Sequence, residues 1–164
     1  MEISVSRVQD VITEEDLSYV LKNPWKFTYY EWKLHNIHNE KTALEYLLEQ
    51  VELTRNGGYS KIWKTKDDLA LAILGAHIVS DIKLEGFFIA SKHMEEDKNS
   101  LKVSFEMREV LLEQSYNYKG YTLGLYSESK ETDKQMSWLR FLGFNYVPDG
   151  NRGKTRYFEF QSKV

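Results

Sequence analysis

Residues 121–160 contain the stretch that decides the fold: Tyr121-Thr-Leu-Gly-Leu-Tyr126, then Lys134-Gln-Met-Ser-Trp-Leu-Arg-Phe-Leu-Gly-Phe144, and finally Arg156-Tyr-Phe-Glu-Phe160. The first and last of these segments, rich in aromatic and aliphatic residues, predict strands. The amphipathic segment from Lys134 to Leu142 predicts a short helix that Gly143 ends. A Pro-Asp-Gly turn at 148–150 then leads into the last strand, so this region predicts a strand, a helix and a closing hairpin.

Working outward toward the N-terminus, the pattern predicts a strand and two helices. Ile3–Val8 alternates apolar and polar residues, as a half-buried strand does. Thr13, followed by three acids, predicts the start of a helix that Asn23-Pro24 stops. A second helix is predicted at about Lys41–Arg55, because apolar residues recur at helical spacing and Asn56-Gly57-Gly58 follows.

The middle of the chain predicts three strands and a long helix. The strands are Tyr59–Lys64, Leu69–Val79 and Leu84–Ala90, and the helix runs from about Asn99 to Tyr116. We see no internal repeat or linker, so residues 1–164 are expected to form one domain. The predicted order is β-α-α-β-β-β-α-β-α-β-β, an α+β (mixed α/β) fold with a mixed sheet and helices on both faces.

Composition excludes several classes of protein. The chain has 164 residues with 41% hydrophobic and 29% charged, which is typical of a globular domain. A net charge of −3 without a basic stripe argues against a nucleic-acid binder and against an anionic membrane surface. The sequence has no Cys, hence no disulfide and no thiol nucleophile. Without a signal peptide or a membrane-length apolar run, a cytoplasmic or virion-internal location is expected.

The order of these elements resembles the GNAT superfamily of acyltransferases, which take an acyl group from acetyl-CoA. Ala70-Leu-Ala-Ile-Leu-Gly-Ala76 is similar to the family's third strand, and Trp138-Leu-Arg-Phe-Leu-Gly-Phe144 to its last helix entering the sixth strand. Arg156-Tyr-Phe-Glu-Phe160 is similar to its last strand. The resemblance implies a central, mostly antiparallel sheet of about seven strands. A similar pattern occurs in acetyltransferase-like proteins of tailed bacteriophages.

The phosphate-binding loop of the family is altered in this chain. The family carries glycines in the loop that opens its third helix, because backbone N–H groups there approach the CoA pyrophosphate closely. The corresponding segment here, Ser91–Ser100, has no glycine. It carries three consecutive acids, Glu95, Glu96 and Asp97, which would repel a pyrophosphate.

Two further family residues are replaced. Ser127-Glu128-Ser129 stands where many members have an Asn that contacts the cofactor. Leu139 stands four residues before the Gly of Gly-Phe, where the family often has the Tyr that protonates the departing thiolate. The fold pattern is therefore retained better than the catalytic pattern.

The resemblance still implies a set of candidate residues. Glu85, on the strand where the family's general base often lies, is the candidate base, although a solvent-facing strand Glu is the simpler interpretation. Tyr126 could replace the missing acid, or it could be a core ring with a satisfied hydroxyl. The candidate cofactor-binding residues are Ile89, Ala90, Ser91, Asn99, Ser100 and Ser129.

Four histidines and two segments leave alternatives open. His77 and His93 could act as bases or be structural. His35 and His38 lack a third ligand nearby, so we predict no metal site. Asn151–Arg156 brings three cations to a hairpin that could hold the CoA 3′-phosphate, bind an acidic partner or be solvated. The aromatic residues of 25–32 could line an acceptor pocket, contact a partner or pack in the core.

Two functions therefore compete. The first is an N-acetyltransferase that uses acetyl-CoA as cofactor and transfers the acetyl group to an amine of unknown acceptor. The second is a catalytically inactive GNAT-like structural or interaction protein that binds a protein partner, such as a phage virion component. The missing acid, Asn and glycines favour the second, whereas the order of elements fits both. The acetyltransferase-like function is kept as the first expectation, with its activity open, and the inactive protein as the alternative.

Overall fold

The computed structural model describes residues 7–26, 40–96, 98–127, 132–153 and 155–161. These residues form four α-helices and six strands. In chain order they are α1 (Glu14–Lys22), α2 (Glu40–Asn56), β1 (Gly58–Lys64), β2 (Ala70–Ser80), β3 (Lys83–Ala90), α3 (Asn99–Asn117), β4 (Thr122–Ser127), α4 (Thr132–Leu142), β5 (Asn145–Tyr146) and β6 (Arg156–Gln161). Short 3-10 helices at Lys92–Glu95 and Pro148–Gly150 complete the order.

The strands form one mixed sheet in the order β1-β2-β3-β4-β6-β5. Every neighbouring pair is antiparallel except β3 and β4, which are parallel. The predicted α+β class is confirmed, and so is the predicted order of elements from the first helix onward. The described residues give six strands where about seven were expected, because most of the predicted strand Ile3–Val8 lies outside them. Next to it, Gln9 forms a single parallel bridge with Ser60 on β1.

The start of α1 follows the sequence prediction closely. The backbone N–H of Asp16 donates to the Thr13 hydroxyl, and the Asp16 carboxylate accepts from the Thr13 N–H at 3.0 Å. This reciprocal capping box satisfies two backbone donors at the helix end. After α1, the chain pairs with the end of β3: Trp25 N–H donates to Ala90 O, and Lys92 N–H donates to Asn23 O.

Helices cover both faces of the sheet, as predicted. Successive residues of β2 point to opposite faces, so Ile73 belongs to one core and Leu74 to the other. The core under α1 and α2 includes Leu17, Val20, Leu47, Ile73 and Ile89. The core under α3 and α4 includes Leu74, Phe88, Met107, Leu139 and Phe158.

Of the aromatic residues at 25–32, only Trp25 is described, and it packs in the core. Its ring meets the Trp138 ring edge-on at 6.5 Å, and Trp138 also contacts Phe88 at 5.4 Å. The remaining aromatic residues of that segment lie outside the described residues. Over the described ranges, no helix combines the length and the apolar character needed to cross a bilayer.

Candidate functional site

The two parallel strands at the centre of the sheet separate along their length. β3 and β4 pair only where Lys83–Glu85 lies beside Thr122–Gly124. Beyond this point, the described parts of the two strands form no further pairs, and a wedge opens between 86–90 and 125–127. Ser91 N–H donates to Leu71 O on β2. The backbone N–H of Ser91 therefore points toward β2 and away from the wedge. Because the N–H and C=O groups of successive strand residues point alternately to the two neighbouring strands, those of Gly86 and Phe88 face the wedge.

Glu85 lies at the vertex of this wedge. It is the last residue of β3 that pairs with β4, and its partner there is Gly124. On its other side it pairs with His77 of β2. Strand alternation places the Glu85 side chain on the α1/α2 face of the sheet. Its half-buried carboxylate makes no hydrogen bond or ion pair to any other described residue.

The Tyr157 ring covers the other side of the vertex. A β-carbon built at Gly124 would lie 2.5 Å from the Tyr157 hydroxyl oxygen, and one built at Gly150 would overlap the ring. The absence of side chains at both glycines therefore makes room for this ring. Burial raises the pKa of Tyr157 well above its ordinary value, and the nearby carboxylates of Glu159 and Glu85 add to the rise. The phenol is thus held neutral.

Two cations lie over tyrosine rings on the same face. Lys83 Nζ is 4.8 Å from the centre of the Tyr157 ring, and Arg152 Cζ is 4.3 Å from the centre of the Tyr126 ring. The two rings are 4.8 Å apart. The structure therefore brings the predicted residues Glu85 and Tyr126 to one face of the sheet.

His77 adds a buried imidazole to this group. Its side chain is 7% exposed, and no described residue pairs with its Nδ1 atom. Burial lowers the pKa of His77, and the negative charge of Glu85 partly opposes that shift. The imidazole is therefore biased toward its neutral form. We call this group the vertex cluster; its members are His77, Lys83, Glu85, Tyr126, Arg152, Tyr157 and Glu159.

The segment after β3 leads to an uncapped start of α3. Lys98, just before the helix, has φ 62° and ψ 21°, the left-handed conformation that glycine adopts most easily. No side chain caps α3, and its first turn contains no acidic residue. The Asn99 N–H already donates to Glu96 O at 2.8 Å, so the N–H groups that follow it and the positive end of the helix dipole are the ones that could meet an anion. A lysine thus adopts the left-handed conformation within the segment whose counterpart in the family carries glycines.

The predicted cofactor residues are spread over this segment. Ile89 and Ala90 are buried in the sheet, and the Ser91 N–H is bound to β2. Asn99 donates through Nδ2 to His93 O at 2.8 Å, and Ser100 accepts at its carbonyl from Ser104. Ser129 lies outside the described residues. Their roles toward a cofactor stay predictions.

His93 does not belong to the vertex cluster. Its Nδ1 contacts the Glu96 carboxylate at 2.9 Å, and its Nε2 contacts the Tyr19 hydroxyl on α1. A carboxylate at Nδ1 favours the proton on that nitrogen, so Nε2 accepts from the phenol. Burial raises the pKa of Tyr19, and the charge of Glu96 adds to the rise. Tyr19, His93 and Glu96 therefore tie α1 to the segment before α3.

Two other residues that the sequence analysis named, Leu139 and Asn151, have packing or turn-stabilising contacts. Leu139 is fully buried among apolar residues on α4. Asn151 fixes the closing hairpin, because its Oδ1 accepts from Tyr157 N–H and its Nδ2 donates to the Tyr146 hydroxyl. Lys154, His35 and His38 lie outside the described residues. Among the residues that the structure describes, no group of three or more His, Asp or Glu side chains could hold a metal ion.

Sequence reasoning missed Tyr157, Glu159 and Lys83. The signal was present in Arg156-Tyr-Phe-Glu-Phe160, where strand alternation places Tyr157 and Glu159 opposite the two buried phenylalanines. Their proximity to Glu85 depends on the strand order β3-β4-β6, which no local pattern contains.

Solved structures of low sequence identity share this architecture. An acetyltransferase of the GNAT family from Bacillus anthracis matches with a TM-score of 0.62 at 10% identity, covering 100% of both chains. A spermidine N-acetyltransferase SpeG chimera from Vibrio cholerae and hSSAT gives 0.61 at 10% identity, covering 93% of each chain. A phosphinothricin acetyltransferase from Sinorhizobium meliloti, in complex with AcCoA, gives 0.57 at 13% identity, covering 92% of this chain and 85% of that one.

The fold is the GNAT fold. No family model and no curated protein sequence matches the chain. The three structures named above come from cellular organisms, so the resemblance to bacteriophage proteins stays a prediction. The similarity to acetyltransferases is therefore one of architecture, and it assigns no role to any residue of the site.

Proposed function

We propose that the chain transfers an acetyl group from acetyl-CoA to an amine. The observation that carries this proposal is the wedge between β3 and β4 with Glu85 at its vertex. The wedge exposes backbone donors and acceptors of β3 that an extended ligand with amide groups could pair with. A carboxylate without a partner among the described residues lies where those strands meet.

The residues present fit a CoA thioester. Gly86 and Phe88 would pair with the extended arm of the ligand, and Ala90 and Ser91 flank the same path. Ser129, outside the described residues, stays a candidate from the sequence. The uncapped N-terminus of α3, with Asn99 and Ser100 in its first turn and Lys98 before it, would hold the pyrophosphate. The thioester supplies an activated acyl group. Lys98 offers both the left-handed backbone and a positive charge, which act against the repulsion from Glu95 and Glu96 just before it.

Glu85, His77 and the tyrosines of the vertex cluster would supply the proton-transfer groups that acetyl transfer needs. Glu85 would accept a proton from the acceptor ammonium, and the buried neutral His77 beside it keeps a second base close by. Leu139 cannot donate a proton, so a phenol of the cluster would take the acid's place. Tyr126 is the candidate from the sequence, and Tyr157 is the one whose hydroxyl lies directly at the vertex.

One observation favours the alternative of a non-catalytic interaction protein. Three apolar side chains of α3 are strongly exposed: Leu101 at 55%, Phe105 at 51% and Leu112 at 42%. Exposed apolar side chains on one helix are a feature of surfaces that bind other proteins. Such a protein would keep the fold without needing acetyl-CoA.

Thermal unfolding with and without millimolar acetyl-CoA tests the proposal. A ligand present at a hundred times its Kd stabilises a protein by about 2.7 kcal/mol. For a domain of this size, the expected rise in Tm is roughly 5–11 °C. An unchanged Tm would contradict acetyl-CoA binding and support the interaction protein. ATP is the control, since it has a similar charge but lacks the pantetheine arm.

A further inference from the structure

The vertex cluster contains positive charges that acetyl transfer itself does not require. Arg152 Cζ lies 4.3 Å from the centre of the Tyr126 ring, and Lys83 Nζ lies 4.8 Å from the centre of the Tyr157 ring. Neither cation forms an ion pair with a described carboxylate, although Glu85 and Glu159 lie on the same face. An arginine that lies over a ring and forms no ion pair keeps guanidinium N–H groups for another partner. That geometry suits the two oxygens of a carboxylate.

The position of Arg152 separates it from the cofactor end of the site. Tyr126 and Tyr157 point to the α1/α2 face, because their neighbours Leu125 and Phe158 belong to the α3/α4 core. The start of α3, where a pyrophosphate would bind, belongs to the elements that pack on that opposite face. Arg152 is therefore placed to meet the acceptor. The sequence had left open whether it holds the CoA 3′-phosphate, an acidic partner or only solvent.

The carboxylates of the vertex cluster and the guanidinium of Arg152 lie at successive positions along β4. Gly124 lies between Glu85 on β3 and Glu159 on β6, whereas Tyr126, under Arg152, lies two residues further along. Two residues along a strand span about 7 Å. An amine at Glu85 and a carboxylate at Arg152 can thus belong to one small molecule, with the tyrosine rings between them.

We propose that the acceptor amine carries a carboxylate, and that Arg152, assisted by Lys83, binds it while Glu85 receives the ammonium group. The acceptor is then an amino acid or a related zwitterion, and not a polyamine. This inference rests on the proposed acetyl transfer, because it assigns the acceptor half of the same site.

Matched pairs of compounds test the inference. Each amino acid is compared with the amine that lacks only its carboxylate: L-tyrosine with tyramine, L-histidine with histamine, and L-ornithine with putrescine. Binding is followed by saturation-transfer NMR in the presence of CoA, and transfer by release of the CoA thiol from acetyl-CoA. We expect at least one amino acid to bind and to show kcat/KM at least tenfold above that of its amine.

The variant Arg152→Gln separates recognition from folding. It should lower kcat/KM for the preferred amino acid by tenfold or more and leave that of the matched amine unchanged. Arg108→Gln is the matched control, since Arg108 also lies over a ring, that of Phe141, at 5.0 Å and belongs to α3 on the other face. It should affect neither compound.

Each other outcome contradicts the inference. A preference for the amines, or an equal loss for both members of a pair in Arg152→Gln, would show that no carboxylate is recognised there. A raised Kd for acetyl-CoA in this variant would assign Arg152 to the cofactor. If none of the six compounds binds, the inference is wrong, and the acetyl-CoA shift in Tm alone then decides whether the proposed function stands.

Discussion

The hydroxyl of Tyr157 occupies the space above Gly124, 2.5 Å from where a β-carbon of that residue would lie. Gly124 is also the residue at which β3 and β4 last pair, opposite Glu85. A strand residue without a side chain thus lets a phenol from β6 reach the point where the wedge opens. The packing of the Tyr157 ring over Gly124 therefore also sets the position of the Tyr157 hydroxyl at the vertex of the wedge.

The substitution Gly124→Ala should disturb both the packing of the Tyr157 ring and the position of its hydroxyl at the wedge. The new methyl group has to displace the Tyr157 ring, which is also held against Gly150, so overpacking should lower the free energy of unfolding by about 1–3 kcal/mol. Urea unfolding measures this loss. In a Tyr157→Leu background, the same substitution should cost much less. An equal cost in both backgrounds would show that the ring does not occupy this space.

If Glu85 is the general base of the proposed acetyl transfer, Glu85→Gln should lower kcat by roughly a hundredfold or more, the scale of general base catalysis. The amide keeps the size of the side chain but cannot accept the proton. Steady-state release of the CoA thiol measures the effect, and thermal unfolding checks that the variant is folded. Glu113→Gln, an exposed change on α3, is the control. An unchanged rate would remove Glu85 from the mechanism while leaving acetyl-CoA binding to be judged separately.

Short sequence patterns predicted the helices and strands, whereas the site depends on pairing between strands that are distant in sequence. The Thr13 capping box, the Gly57-Gly58 stop after α2 and the alternation of 156–160 are contained in short windows, so their structure followed from propensity and period. The wedge could not be predicted, since it depends on how few residues of β3 and β4 pair. The same holds for Lys83, which reaches the Tyr157 ring only because β6 follows β4 in the sheet.

The imidazole of His77 should report the charge of Glu85. Burial lowers the pKa of His77, and the Glu85 carboxylate partly restores it. Removing that charge in Glu85→Gln should therefore lower the pKa of His77 further. An NMR titration of the imidazole C–H signals measures the change, with His93 as the internal reference. An unchanged or raised pKa for His77 would show that the two side chains do not interact.

His77 should also make the protein less stable in acid. The folded-state pKa of His77 lies below the unfolded value of about 6.5, so the unfolded chain binds a proton that the folded chain does not. Stability from this residue is complete above about pH 6.5 and falls as the pH drops toward the folded pKa, by up to about 1.4 kcal/mol per pH unit. Urea unfolding from pH 7 to pH 5 should show a smaller loss in His77→Leu. Equal losses would assign the acid sensitivity to other groups.

The contact between Tyr19 and His93 should hold the segment before α3 in place. Tyr19→Phe removes only the hydroxyl that donates to Nε2, and it leaves this half-buried acceptor without that donor. We expect a loss of about 0.5–1.5 kcal/mol in the free energy of unfolding, measured in urea. If the proposed cofactor site is correct, the Kd for acetyl-CoA measured by calorimetry should also rise, because Asn99 at the start of α3 is bound to His93 O. Tyr116→Phe, which removes a phenol elsewhere on α3, is the control. A Tyr19→Phe variant as stable as that control would show that this hydrogen bond does not tie α1 to the segment.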